Sequence, residues 1–226
     1  MKFITRCTAG ALMIGALVFG GGTEHANAAA CLSNTTLGAL EALGATGCDQ
    51  LDKTWSNFSS VAGGGAIALP GTTPVTFADV VIGGVDEHTI TIGSPFTQAT
   101  TYNLGFRIAV NGTAAAGTTF NQVSGGLLLA IPGGNATLTK VFTPNTGTLP
   151  TLMACANTAT CPQTVQEPVG AGVTSIGVSE TFFTDASNVT SFSNTFEEQT
   201  KAPEPATLAL LGSALIGVGF VRRRRR

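Results

Sequence analysis

The stretch GGVDEHTITI, residues 83–92, holds the densest group of side chains able to do chemistry. Side chains of an extended chain alternate between two faces, so Asp86 and His88 share one face and Glu87 takes the other. A carboxylate and an imidazole so placed can frame a metal ligand pair, and His88 is the one candidate base after residue 28. With no second imidazole to join it, the stretch reads as the solvated end of a strand. Asp49 and Asp52, three apart after Cys48, could hold calcium through their carboxylates, but read more simply as a turn with two exposed acids. The chain has no Gly-x-Ser-x-Gly, no His-Glu-x-x-His, no phosphate-binding glycine loop and no EF-hand. The expectation is a non-enzymatic body with no catalytic residue, no metal and no cofactor, in which His88 is dispensable.

Cysteines are the next candidates. Of the five, Cys7 lies in the leading segment, and Cys31, Cys48, Cys155 and Cys161 remain. Four cysteines allow three connectivities. Local loops favour Cys31 with Cys48 and Cys155 with Cys161, the first clasping a short helix. Zinc is the rival, but no Cys-x-x-Cys pair occurs.

The elements that must position these groups are mostly strands. Alternating apolar and polar residues mark PVTFADVVI (74–82), EHTITI (87–92), YNLGFRIAV (102–110), NATLTKVF (135–142), GVTSIGVSETFF (172–183) and NVTSFSNTF (188–196). Gly83-Gly84, Asn111-Gly112, Gly125-Gly126 and Pro132-Gly133-Gly134 read as turns between them. The pattern predicts an antiparallel β-sandwich or jelly roll. One segment departs from it: SNTTLGALEALGATG has Leu37, Leu40 and Leu43 at helical spacing, Ser33 and Asn34 as cap candidates, and Gly44 and Gly47 to close. Trp55 and Phe58 are expected to anchor this disulfide-clasped element to the sandwich.

Between Ala29 and Ala202 four basic residues face eleven acidic ones, a net charge of −7 hidden by the chain's formal −2. An acidic body repels phosphate backbones, which argues against a nucleic-acid partner.

Both ends read as addresses. Lys2 and Arg6, an apolar stretch from Ala9 to Phe19 and the small residues Ala26-Asn27-Ala28 have the layout of a secretory signal over 1–28, cleaved after Ala28. A single ectodomain is expected over 29–200. In the tail, 201–226, Pro203-Glu204-Pro205 is followed by an uncharged apolar run at 206–221 and by Arg222, Arg223, Arg224, Arg225 and Arg226. As a helix the run reaches about 24 Å, marginal for a hydrocarbon core of about 30 Å. The arginines would hold its end in the cytoplasm, and the prolines would keep Glu204 extended and accessible.

The tripeptide, short apolar helix and arginine cluster resemble the PEP-CTERM sorting signal of Gram-negative bacteria. The resemblance implies signal peptidase and the secretion machinery as early partners, an inner-membrane precursor held by the tail, and recognition of Pro203-Glu204-Pro205 by an exosortase. Delivery to the cell surface or an exopolysaccharide matrix, as in a biofilm, would follow. GCDQLDKTWSNFS, residues 47–59, is also similar to a segment near the mature start of some PEP-CTERM proteins. Three functions compete for the body. The leading one is a non-enzymatic surface or matrix protein. A carbohydrate-binding module would want Trp55 and Tyr102 exposed and coplanar, and a glycan-active enzyme would want converging carboxylates in a cleft.

Overall fold

In this computed structural model the described residues are 28–82, 85–94, 96–97, 99–129, 135–156, 164–184 and 189–199. The expected secretory segment before Ala28, the expected turns at Gly83-Gly84 and Pro132-Gly133-Gly134, Cys161 and the whole tail lie outside them. In chain order the first elements are β1 (Ala29–Ala30), β2 (Asn34–Thr36), α1 (Leu37–Glu41), β3 (Cys48–Gln50), β4 (Lys53–Ser59) and β5 (Ile67–Ala68). The longer strands follow as β6 (Pro74–Ile82), β7 (Val85–Gly93), β8 (Thr100–Val110), β9 (Thr119–Leu129) and β10 (Ala136–Pro144). The series closes with β11 (Leu152–Ala156), β12 (Thr164–Pro168), β13 (Ser175–Thr184) and β14 (Val189–Gln199).

They form two sheets. Sheet I runs β1-β3-β4-β8-β13-β10-β11 with β5 beside β8, and sheet II runs β12-β9-β14-β7-β6-β2. Pairing is antiparallel except for the short contacts β1 with β3 and β5 with β8. From β7 to β10 and from β11 to β14 each connection crosses from one sheet to the other, which gives the jelly-roll character expected of the body. All six alternating runs are strands, because each places one apolar face on the shared core.

The core is rich in rings. Trp55 is fully buried, 5.3 Å from Phe77, 5.9 Å from Phe106 and 5.6 Å from Phe196, and its indole N–H donates to Gln50 Oε1 at 2.8 Å. Phe58, three residues on, also faces inward because the pairing with β8 shifts between Ser56 and Ser59, where Asn57 takes a φ of 55°. Farther along the sandwich Phe96, Tyr102, Phe182 and Phe192 pack together, with Phe96 and Phe182 4.9 Å apart.

Three expectations are corrected. The helix is one short turn-and-a-half, capped by Thr36 rather than Ser33 or Asn34, since Ala39 N–H donates to Thr36 Oγ1. Asn34 is drawn instead into β2, paired with β6, and Leu43 lies past the helix and is exposed. Gly44 and Gly47 do close the segment at φ of 55° and 66°. Gly125-Gly126 is not a turn but the middle of β9. A Cβ at Gly125 would collide with the end of Lys140 and come within 2.7 Å of the Ser193 carbonyl, so the glycine makes room for a lysine stem. The expected clasp is present: Cys31 and Cys48 form a disulfide with Cα atoms 4.9 Å apart, beside the Cys31 N–H to Asp49 O bond. Cys155 is also disulfide-bonded.

Candidate functional site

Four ionisable residues of sheet II stand where strand alternation calls for apolar ones. The rows Val75-Phe77-Asp79 on β6, Ile92-Ile90-His88-Asp86 on β7 and Phe192-Asn194-Phe196-Glu198 on β14 all face the core, and each turns polar toward the same end. Register puts these ends side by side, with Asp79 opposite His88 and Asp86 opposite Glu198. Sheet II therefore ends in a polar floor. Sheet I covers it with the β3–β4 turn, which brings Asp52 and Lys53 over it.

That turn is two residues long, with Leu51 at a φ of 52°, a position glycine ordinarily fills. It is braced from behind: Asn111 N–H donates to Asp52 O at 2.8 Å, and Asn111 Nδ2 and Thr113 Oγ1 donate to Leu51 O at 3.2 Å. The bracing holds a backbone strained by about 1–2 kcal/mol.

Lys53 is fully buried, donates to Asp52 Oδ1 at 2.7 Å and to Glu198 Oε2, and lies 5.8 Å from the Phe120 ring centre. His88 is also fully buried, with Nδ1 2.6 Å from Asp79 Oδ1. A carboxylate there accepts the Nδ1 proton, which leaves Nε2 as an acceptor in the neutral ring. Nε2 has no hydrogen-bond partner, yet lies 3.5 Å from Asp52 Oδ1, 3.8 Å from Glu198 Oε2 and 3.9 Å from Asp86 Oδ2. Burial pushes the Glu198 carboxyl above its ordinary range, against the pull of Lys53.

A second buried group lies nearer the middle. Lys140, Glu180 and Asn194 interrupt apolar rows in the same way, and Lys140 spends three donors on Glu180 Oε1 at 2.5 Å, Asn194 Oδ1 at 2.6 Å and Ser193 O at 2.8 Å. Burial lowers its ammonium pKa, opposed by the charge of Glu180.

The sequence-based candidates separate accordingly. Asp86 and His88 do share a face, but His88 is sealed in rather than solvated, because the β3–β4 turn lies over its strand. Asp49 and Asp52 are half-buried rather than exposed and part company: Asp49 accepts from Thr54 Oγ1 at 2.5 Å, while Asp52 joins His88. Trp55 and Tyr102 are both buried, and no aromatic ring among the described residues is exposed. The residues sequence reasoning missed are Lys53, Asp79 and Glu198. Their signal is legible in retrospect as a charge that falls in phase with an apolar row.

An open groove of about 340 Å³ lies on the outer face of sheet II, lined by hydroxyls of Thr91, Ser124, Thr164, Ser191, Ser193 and Thr195 with apolar and glycine neighbours. Its lining includes no carboxylate, histidine or cysteine.

No curated protein matches the chain in sequence. One solved structure, of TmCBM61 in complex with beta-1,4-galactotriose, is similar at a TM-score of 0.31 and 6% identity, over 65% of this chain and 88% of that one. The informative match falls in the tail, beyond the described residues. Residues 201–226 match the PEP-CTERM protein-sorting motif, so the chain carries at its C-terminal end a sorting signal that implies export and processing by an exosortase at the membrane.

Proposed function

We propose that this is a non-enzymatic surface or matrix protein, made as an inner-membrane precursor and released by an exosortase. The observation that carries the reading is the sorting motif at residues 201–226. In this scheme 1–28 is removed after Ala28, 29–200 is the exported body, and 206–221 holds the precursor with Arg222 to Arg226 in the cytoplasm. The enzyme acts at Pro203-Glu204-Pro205. The non-enzymatic assignment is supported by the burial of His88 and by a groove without a titratable lining. Carbohydrate binding at the surface is the second reading, favoured by the hydroxyls of that groove and weakened by the burial of Trp55 and Tyr102.

Immunoblots of fractionated host cells, with and without the exosortase, test the scheme. The expected result is a shorter, released protein in the wild type and a full-length inner-membrane protein without the enzyme. Replacing Pro203-Glu204-Pro205 by alanines should reproduce the second state. Full-length protein in the inner membrane of both strains would replace sorting by a plain anchor.

A further inference from the structure

The four carboxylates of Asp52, Asp79, Asp86 and Glu198 surround one ammonium, Lys53, and one imidazole, His88. The carboxylates outnumber the one ammonium at a place where Lys53 and His88 are fully buried and Glu198 nearly so, while Asp52, Asp79 and Asp86 keep partial contact with solvent. Burying unpaired charge is strongly unfavourable. The geometry adds a sharper conflict. His88 Nε2, an acceptor when Nδ1–H donates to Asp79, faces three carboxylate oxygens and has no hydrogen-bond partner. Asp86 Oδ1 is buried without a partner as well. Four acceptors converging on one point, with charge to spare, describe a cation site.

We propose that Asp52, Asp86, His88 and Glu198 form a binding site for a divalent transition metal, with zinc the best match. One ligand atom from each lies within 4.8 Å of the others. The spacings of 3.5, 3.8 and 3.9 Å around Nε2 are close to the roughly 3.4 Å between neighbouring ligands of a tetrahedral zinc with bonds of about 2.1 Å. Imidazole favours zinc over calcium, which takes six to eight oxygens. Asp79 would act as the positioning residue: a carboxylate on Nδ1 fixes the tautomer and raises the basicity of the ligating nitrogen. Lys53 competes, because its ammonium already bonds Asp52 and Glu198. A metal would bridge the two sheets at the end where Asp52 comes from sheet I and the other three ligands from sheet II. The site is independent of the sorting reading.

The test uses the full chain in detergent, purified without an affinity tag, stripped with EDTA and titrated with zinc by calorimetry and with cobalt(II) by visible absorption. The expected result is one zinc per chain and the cobalt absorption of a four-coordinate site. His88→Gln should weaken zinc at least 100-fold and abolish the cobalt spectrum, and Asp79→Asn should weaken it 10- to 100-fold. Lys53→Met should tighten zinc several-fold by removing the competitor, whereas a purely structural ion-pair network predicts lower stability and no zinc response. Circular dichroism checks folding, and Asp86→Asn, a change at a half-exposed residue, serves if His88→Gln unfolds. Folded wild-type protein that takes up no stoichiometric zinc, binds calcium more tightly than zinc, or binds zinc as weakly as Asp86→Asn would overturn the proposal.

Discussion

Two lysines are buried in this sandwich, and they keep opposite company. Lys140 meets one carboxylate and two neutral oxygens, so each of its donors is used and the charges cancel. Lys53 meets a set of carboxylates that outnumber it, beside a histidine with an idle nitrogen. Both arise from the same device, a charged residue placed in phase with an apolar row. The difference teaches that phase turns a charge toward the core, while the count of opposite charges around it decides whether it is balanced there. The Lys140 group is balanced in charge as a cross-link between the sheets, with Glu180 Oε2 and Asn194 Nδ2 left as buried atoms without a partner. The Lys53 group calls for a further cation.

The largest expected effect breaks the balanced group. Lys140→Ala leaves Glu180 buried without its cation and should cost about 3–5 kcal/mol in denaturant unfolding. The double change Lys140→Met with Glu180→Leu removes both charges and keeps most of the volume, and should lose less than the single change, the remaining cost being Asn194 Oδ1 left without its donor. If the single and double variants lose the same stability, the loss comes from packing and the comparison with Lys53 collapses.

A middle-sized effect sharpens the steric side of the same group. Gly125→Ala pushes a methyl into the Lys140 stem and toward Ser193 O, and overpacking of this kind costs about 1–3 kcal/mol. Combined with Lys140→Ala the penalty should shrink, because the stem it strikes is gone. Penalties that simply add in the double variant would show that Gly125 is there for the backbone and not for the lysine.

Most of the scaffold was legible because alternation is a local property: β6, with Val75 and Phe77 inward, is bounded in the sequence as it is in the structure. The helix start was misplaced because Asn34 to Thr36 are claimed by a long-range partner, β6, which outweighs a local cap. Gly125-Gly126 was misread because its reason for being glycine lies on another sheet, in Lys140. Asp86 with His88, and Asp52, stood out singly in the sequence, but their assembly with Lys53, Asp79 and Glu198 escaped for the same cause. Asp79 and Asp86 are neighbours on one hairpin, but Asp52 and Glu198 are far from them in sequence, and only the crossing connections bring the β3–β4 turn and β14 to that hairpin. The tail was legible because its three parts are contiguous and need no fold to be recognised.

The smallest expected effect is a slope, and it isolates Lys140 from the crowded end. Burial lowers its pKa below the ordinary 10.5, with Glu180 opposing the shift. Between the folded value and 10.5 the unfolded chain holds more protons at this site than the folded one, so this group makes stability rise as pH rises through that window. Below the folded value the buried ammonium imposes its full penalty. One proton can contribute at most about 1.4 kcal/mol per pH unit, and the opposing pull of Glu180 narrows the window over which it does so. Subtracting the profile of the Lys140→Met, Glu180→Leu double variant cancels the other lysines and the tyrosine. Urea unfolding from pH 8 to 10.5 should then leave a positive difference slope for the wild type. A flat or negative difference would mean that Glu180 compensates the burial of Lys140 in full, and that charge balance in the middle of this core carries no residual cost.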